Sequence, residues 1–171
     1  ARAVLARLLL ARLLTLVTHC HEIADVVVIS EDAGLRAIAW LFGFHALPDP
    51  APDLNASLEA GRQYAIERGA EALLVLPTDL PHLSREALGI LLQHTTASTE
   101  PRVVIARDQQ GKGTNALFLR PASAIPFRFG PGSAQKHRTL AARTGIPLVE
   151  VHDPTLAFDL DLPEDWARLV A

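Results

Sequence analysis

The stretch Ala72-Leu-Leu-Val-Leu76, followed at once by Pro77-Thr-Asp-Leu-Pro81, decides the fold class of this chain. A short apolar run that ends in a proline-bounded turn is typical of a buried strand in an α/β protein. Ligands of open α/β sheets bind beyond the carboxyl ends of the strands, and Asp79 occupies that position. The segment therefore predicts a buried strand followed by a functional aspartate, although an Asp between prolines also commonly serves only to organise a turn.

Strands and helices alternate on both sides of this segment. Further strands are predicted at residues 25–30, 44–47, 102–107, 116–119, 147–151 and 156–160. Helices are predicted within 1–20, at 32–43, 55–68, 84–94 and 133–144, and after Pro163. This alternation predicts a three-layer α/β fold with a mostly parallel mixed sheet. Because the 171 residues contain no repeat or linker, we expect one domain over 1–171.

Composition excludes several classes of protein. Hydrophobic residues make up 49% of the chain and charged residues 20%, which is ordinary for a globular domain and not for a disordered one. The single Cys20 excludes an internal disulfide and favours a reducing compartment. A net charge of −3 argues against nucleic acid as the partner, since nucleic-acid-binding domains are usually strongly basic.

The Leu-rich stretch from Ala1 to Cys20 is the one candidate for a targeting or membrane segment. Arg2, Arg7 and Arg12 interrupt it, so it contains no uncharged apolar run of membrane-spanning length. Its apolar residues follow helical spacing, which predicts an amphipathic helix of a soluble domain rather than a transit peptide. We therefore expect a cytoplasmic protein with no membrane partner.

Charge is unevenly distributed along the chain. Residues 102–143 carry eight basic side chains and one acidic one, a net charge of +7, whereas residues 1–101 and 144–171 each carry a net −5. A basic block between acidic ones suits an anionic ligand held near a carboxylate-bound cation. A solvated basic face is the simpler alternative.

A second acidic segment, Phe158-Asp-Leu-Asp-Leu-Pro-Glu-Asp165, follows near the end of the chain. On a strand, Asp159 and Asp161 would project to the same side, where they repel each other unless a cation lies between them. Mg²⁺ accepts one or two carboxylates together with phosphate oxygens. A helix cap would explain Asp161 but leaves Asp159 unexplained.

Two glycine-rich turns lie inside the basic block, Gly111-Lys-Gly-Thr-Asn115 and Phe129-Gly-Pro-Gly-Ser133. The second turn leads into a predicted helix, whose N-terminus favours anions, and Ser133 either caps that helix or contacts a phosphate. Backbone amides without side chains in front of them suit an anion, so the two turns together predict a site for an anionic ligand. The sequence contains neither a P-loop nor a G-x-G-x-x-G dinucleotide motif.

Taken together, these motifs resemble one family over essentially the whole chain. P-T-D-L-P, G-T-N-A, F-G-P-G-S-x-x-x-H and D-L-D-L-P-E-D, with Asp53-Leu-Asn-Ala56, are similar to the 2-phospho-L-lactate or phosphoenolpyruvate guanylyltransferases of deazaflavin-coenzyme biosynthesis. The resemblance implies a GT-A-like nucleotidyltransferase fold and an enzyme that moves GMP from GTP to a phosphorylated three-carbon acid. G-T-N-A and F-G-P-G-S are specific to that family, whereas P-x-D-L-P is shared by many nucleotidyltransferases.

The resemblance also implies roles for individual residues. Mg²⁺ would be bound by Asp79, Asp159 and Asp161, which would be the catalytic carboxylates. The acid would be bound by Thr114, Asn115, Gly130 and Ser133, and the nucleotide would lie near Asn55 and Pro77. Candidates for neutralising phosphate charge are Arg107, Lys112, Arg128 and Lys136. His137 either contacts substrate or is a packed or solvated residue on the helix face.

One feature of the family is missing from this chain. Family members begin with a strand and a basic loop, approximately V-P-x-K-P, whereas this chain begins with Ala1-Arg-Ala inside the next helix. Truncation, disorder or loss of that segment would each explain the difference, and the first two are favoured because the other motifs are present. The sequence leaves two other functions open: a nucleotidyltransferase acting on a pterin or sugar phosphate, and a non-catalytic binding subunit.

Overall fold

The computed structural model describes residues 2–49, 53–96 and 98–160, and these form helices and strands in alternation. The helices are α1 (Arg2–Val17), α2 (Ala33–Leu41), α3 (Leu54–Glu67), α4 (Arg85–Thr96), α5 (Ser133–Thr144) and α6 (Pro154–Ala157). The strands are β1 (Val27–Ile29), β2 (His45–Leu47), β3 (Leu73–Val75), β4 (Arg102–Arg107), β5 (Thr114–Arg120) and β6 (Leu148–Val151).

The strands form two sheets. β1 and β2 pair in parallel, and the larger sheet has the order β3-β5-β4-β6. In that larger sheet β5 runs antiparallel to both of its neighbours, while β4 and β6 are parallel. β3, β4 and β6 therefore point the same way and β5 alone is reversed, which confirms the predicted α/β fold with a mostly parallel mixed sheet.

This topology brings distant segments to one edge of the larger sheet. β3, β4 and β6 end there, at Val75, Arg107 and Val151, and the reversed strand β5 begins there, at Thr114. Ligands of α/β sheets bind at the carboxyl ends of the strands. The turn that contains Asp79 and the first glycine-rich turn therefore leave the sheet on the same side.

Helices cover both faces of the larger sheet. On one face, Leu88 and Leu91 of α4 pack with Phe118 and Leu156. On the other face the strand residues pack against α5, and a third cluster joins α1 to α2. Successive residues of β4 and β5 point to opposite faces of the sheet. Because these strands are apolar on both sides, they contribute side chains to the clusters on both faces, as expected for buried strands. Within the described residues, no helix is both long and apolar enough to cross a membrane.

The predicted strand at 156–160 is wrong. Leu156 instead lies in the short helix α6, and residues 158–160 have no regular structure. Asp153 begins this helix, because its Oδ1 accepts hydrogen bonds from the amides of Thr155 and Leu156, and Pro154 favours the first turn. Asp159 therefore does not lie on a strand, and the prediction of two carboxylates on one strand face is wrong. Asp161 and the predicted helix after Pro163 lie outside the described residues.

Candidate active site

The two glycine-rich turns meet at the N-terminus of α5. The amide of Ala134 donates to the carbonyl of Lys112 at 3.0 Å, which joins the second turn to the first. Within the first turn, Gly113 leaves room for the Asp108 side chain, because a Cβ there would lie 2.6 Å from the Asp108 carboxylate. The structure thus brings together the two turns between which a phosphorylated ligand is predicted to bind.

Ser133 does not cap α5. The N-cap is Gly132, whose φ of 70° lies in the left-handed region, and the cap forms no side-chain hydrogen bond. Ser133 is the first helical residue and is 1% exposed, and its amide donates to the Gly130 carbonyl at 3.0 Å. With the amides of Ser133 and Ala134 bonded to protein carbonyls, fewer amides at this helix terminus are open to a ligand than the sequence predicts.

A bulge at the start of β5 sets the directions of Thr114 and Asn115. Ala116 packs in the cluster with α4 and α6, and Leu117 packs in the cluster with α5. Strict alternation would place Asn115 on the α5 side and Thr114 on the α6 side. The β4–β5 pairing skips one residue here, and the contacts are reversed: Thr114 bonds to α5 and Asn115 bonds to α6.

Thr114 belongs to a buried chain of hydrogen bonds through α5. Its Oγ1 lies 3.1 Å from Nδ1 of His137, and Nε2 of the same ring accepts from the Arg128 amide at 3.1 Å. Burial lowers the pKa of His137 to about 4, and the nearby charges of Lys136 and Arg128 act in the same direction. His137 is therefore a neutral, packed residue that connects the two turns, not a solvated one.

Asn115 links β5 to the end of α6. Its Nδ2 donates to the carbonyls of Leu156 and Ala157 at 3.0 and 3.1 Å, and the side chain is 4% exposed. Both hydrogens of the amide are thus used by the protein. Its contribution to the site is to hold the segment that leads to Asp159.

Asn55 holds the second glycine-rich turn. Its Oδ1 accepts from the Phe129 amide at 2.7 Å and its Nδ2 donates to the Phe129 carbonyl at 3.2 Å. The amide therefore satisfies both backbone groups of Phe129, as a neighbouring strand would. This residue, which the family resemblance places near the nucleotide, is directed at the backbone of the turn that contains Gly130.

The two acidic segments are adjacent. The amide of Leu160 donates to the carbonyl of Asp79 at 3.1 Å, and the rings of His82 and Phe158 lie 4.7 Å apart. Pro77 is half-buried, between the end of β3 and Asp79. Asp79 and Asp159 thus lie on two segments that are hydrogen-bonded through their backbones.

The donor set at this place consists of carboxylates, which are the oxygen ligands that Mg²⁺ takes. Oδ1 of Asp79 is shielded from solvent, whereas Asp159 is half-buried. Within the described residues, no group of three or more His, Cys, Asp or Glu side chains is placed to hold a metal. The third predicted ligand, Asp161, is not among those residues.

The basic side chains near the site fall into two groups. Arg107 and Arg138 both pair with Glu150, through Nε and Nη2 respectively, each at 3.0 Å from Oε2. The hydrogen bond from Arg138 lowers the pKa of this carboxyl. Arg107 is therefore engaged in a structural ion pair and is a weaker candidate for phosphate contact. Three other basic residues are exposed, and within the described residues none forms an ion pair: Lys112, Arg128 and Lys136.

Sequence reasoning missed the structural roles of Asn55, His137 and Glu150. Each contacts a segment distant in the chain, and Asn55 and Phe129 are 74 positions apart. A usable signal existed only for His137: it lies four residues after Ser133 and therefore on the same face of α5.

A family model described as "Guanylyl transferase CofC like" matches residues 3–171. The phosphoenolpyruvate guanylyltransferase of Rubrobacter xylanophilus is 46% identical over 146 residues, which cover 85% of this chain and 70% of that protein. The protein of the same name from Sphaerobacter thermophilus is 36% identical over 168 residues, covering 98% of this chain and 80% of its own length.

Solved structures of nucleotide-transferring enzymes share the fold. A 4-diphosphocytidyl-2C-methyl-D-erythritol synthase superposes with a TM-score of 0.66 at 16% identity, covering 94% of this chain and 88% of that one. A CMP:2-keto-3-deoxy-manno-octonic acid synthetase complexed with CTP superposes with a TM-score of 0.64 at 12% identity, covering 94% and 85%. These likenesses show the fold alone, whereas the family match and the two close relatives extend over most of the sequence. The chain belongs to the CofC-like guanylyltransferase family.

Proposed function

We propose that this chain transfers GMP from GTP to the phosphate of phosphoenolpyruvate or 2-phospho-L-lactate and releases pyrophosphate. The proposal is supported by membership of a guanylyltransferase family and by two relatives that are named phosphoenolpyruvate guanylyltransferase. The family resemblance assigns the product to deazaflavin-coenzyme biosynthesis. A reducing compartment, favoured by the single Cys20, fits the cytoplasm as the place of this reaction.

The observation that carries the proposal is the hydrogen bond between the Ala134 amide and the Lys112 carbonyl. It joins the two turns that carry Thr114, Gly130 and Ser133, and the exposed basic residues Lys112, Arg128 and Lys136 lie in or beside these segments. The acid would lie there, with its carboxylate and phosphate facing hydroxyl groups and glycine backbone. Hydroxyl groups and glycine backbone suit a small anion.

The acidic segments would form the metal-binding part of the site. We propose that Asp79 and Asp159, together with Asp161, hold Mg²⁺. Bound there, the ion would neutralise charge on the triphosphate and on the pyrophosphate leaving group. Family resemblance and the hydrogen bond between Leu160 and Asp79 support this assignment.

The protein's own residues would position and neutralise rather than form covalent bonds. A phosphate oxygen of the acid attacks the α-phosphorus of GTP in line, and the bond from that phosphorus to the pyrophosphate oxygen breaks. Exposed Lys112, Arg128 and Lys136 would offset the charge of the reacting phosphates. No nucleophilic Ser or Cys is required, because the acceptor supplies the attacking oxygen.

Mass spectrometry of the products tests this proposal. The protein is incubated with GTP and Mg²⁺ and with phosphoenolpyruvate, 2-phospho-L-lactate or a phosphoglycerate in turn, and pyrophosphate is measured in parallel. A guanylylated acid formed in equal amount to pyrophosphate is the expected result. Turnover with CTP and a sugar phosphate, or GTP binding without turnover of any acid, would contradict the proposal.

A further inference from the structure

The imidazole of His137 has a hydrogen-bonding partner at each of its two nitrogens. The ring is 0% exposed, with Nδ1 3.1 Å from Thr114 Oγ1 and Nε2 3.1 Å from the Arg128 amide nitrogen. One partner lies in the first glycine-rich turn and the other lies immediately before the second. The ring therefore connects both segments between which we place the acid.

The partners determine which nitrogen carries the proton. A backbone amide can only donate, so Nε2 of His137 must accept and cannot itself be protonated. A neutral imidazole has one N–H, which must then be on Nδ1. Nδ1–H in turn donates to Thr114 Oγ1, because a hydroxyl oxygen accepts hydrogen bonds.

This tautomer decides what Thr114 offers to a ligand. With Nδ1–H bonded to its oxygen, the Thr114 hydroxyl cannot use its own hydrogen on the ring. Within the described residues, the bond to His137 is the one hydrogen bond of the Thr114 side chain. With the opposite tautomer the hydroxyl would donate to the ring and would present only lone pairs to an anion.

We infer that His137 is a positioning residue: by donating from Nδ1 it makes the Thr114 hydroxyl a hydrogen-bond donor for the anionic acceptor substrate. The inference rests on the proposed function, in which the acceptor is a carboxylate- and phosphate-bearing acid. It adds a specific role for a residue that touches neither substrate, since His137 acts through Thr114 and the Arg128 backbone.

Other features of the ring agree with this role. Burial and the charges of Lys136 and Arg128 lower the pKa of His137 to about 4, so the ring stays neutral at physiological pH. The Phe129 ring packs against the imidazole with centroids 5.2 Å apart. The next amide, that of Phe129, is held by Asn55, so two successive amides at the entrance to the second turn are fixed by side chains.

Two substitutions of His137 distinguish the roles of its two ring nitrogens. His137→Asn places an amide N–H near the position of Nδ1 and keeps the donation to Thr114, whereas His137→Gln places its amide near Nε2 and keeps only the acceptor for Arg128. Without a donor at Nδ1, the Thr114 hydroxyl is no longer held in the orientation that donates to the acid, and losing an oriented hydrogen bond to a charged group corresponds to about a tenfold change. We expect His137→Gln to raise the KM for the acid about tenfold and His137→Asn to change it much less, with the KM for GTP unchanged in both.

A double-mutant cycle identifies Thr114 as the residue through which the ring acts. Thr114→Val removes the hydroxyl at nearly constant volume, and Thr114→Ser retains it as the control. In the Thr114→Val background, His137→Gln should cause no further increase in the KM for the acid. Independent, multiplicative effects of the two substitutions would overturn the inference.

Imidazole ¹⁵N spectra test the tautomer without reference to activity. The wild-type protein should show His137 protonated on Nδ1, and protonation on Nε2 would overturn the inference. If the tautomer is as expected but His137→Gln leaves the KM for the acid unchanged, the inference is also wrong. If instead the wild-type protein converts none of the acids, the proposed function fails, and the ¹⁵N spectra show separately whether the tautomer is correct.

Discussion

The region around the two glycine-rich turns and the region around Asp79 are held in different ways. The turns are joined by one backbone bond, from the Ala134 amide to the Lys112 carbonyl, and are further fixed by the side chains of Asn55, His137 and Thr114. The acidic region is fixed by a backbone bond from Leu160 to Asp79. Substitutions near the turns therefore change the shape of the site, whereas substitution of an acidic side chain changes its charge and leaves the backbone contact in place.

Asn115 connects the two regions. It follows Thr114 in β5, and the bulge directs it to the opposite side, where it bonds to the end of α6. The bulge thus directs the Thr114 hydroxyl towards the glycine-rich turns and the Asn115 amide towards the segment that leads to Asp159. The comparison predicts separable effects on acid binding and on metal-dependent chemistry.

The largest effect should come from Asp79→Asn. If Asp79 is a metal ligand, removal of its charge should lower kcat/KM by about 10³-fold while the free energy of unfolding changes little, because the Leu160 bond uses the backbone. Steady-state kinetics over a Mg²⁺ titration, with denaturant unfolding alongside, measures both. Asp25→Asn, which lies outside the site just before β1 and pairs with His45, is the control for the loss of one carboxylate charge. Equal losses of activity and stability would show that Asp79 only organises its turn.

Asn115→Ala should mainly reduce stability. The carbonyls of Leu156 and Ala157 would lose their donor in a buried place, at a cost of about 2 kcal/mol in the free energy of unfolding. Guanidinium unfolding measures this, with Gln110→Ala in the exposed turn as the control. A stable variant with a raised KM for the acid would mean that Asn115 contacts substrate instead.

The pH dependence of stability should reveal His137. Its folded-state pKa of about 4 lies below the ordinary value of 6.5, so between these values the unfolded chain binds the proton more readily. The contribution of His137 to the free energy of unfolding is therefore fully present above the ordinary pKa and is lost as the pH is lowered towards 4. The free energy of unfolding falls by about 1 kcal/mol over the first pH unit below the ordinary pKa. Thermal or denaturant unfolding across this range should show the slope in wild type and its reduction in His137→Gln. The other histidines are present in both proteins, so identical slopes would contradict a buried neutral ring.

The smallest effect should come from Asn55→Ala. Losing both bonds to the Phe129 backbone loosens the second turn, and the KM for the acid should rise about fivefold while the KM for GTP is unchanged. Steady-state kinetics with each substrate varied in turn distinguishes the two. An increase in the KM for GTP alone would contradict this prediction and would indicate that Asn55 contacts the nucleotide, as the family resemblance implies.

Local patterns predicted most of the fold correctly. β4 at Arg102–Arg107 and α5 at Ser133–Thr144 coincide with their predicted ranges, and the helix predicted from residue 84 is capped by Ser84, whose Oγ accepts from the Ala87 amide at 3.0 Å. The strand predicted at 156–160 failed, because Asp153 and Pro154 begin a helix whose end is held by Asn115. Apolar spacing over five residues does not distinguish a buried strand from a buried helical turn.

The sequence by itself determined the α/β alternation, the family and the two glycine-rich turns, since each depends on residue types within a few positions. Only the tertiary structure decided that Thr114 faces α5, that Asn115 faces α6 and that His137 lies between Thr114 and the Arg128 amide, from which we infer protonation on Nδ1. A bulge reverses the side-chain alternation on which sequence reasoning relies. The proton position depends on an amide nine residues away, which chain folding alone brings within hydrogen-bonding distance of the ring.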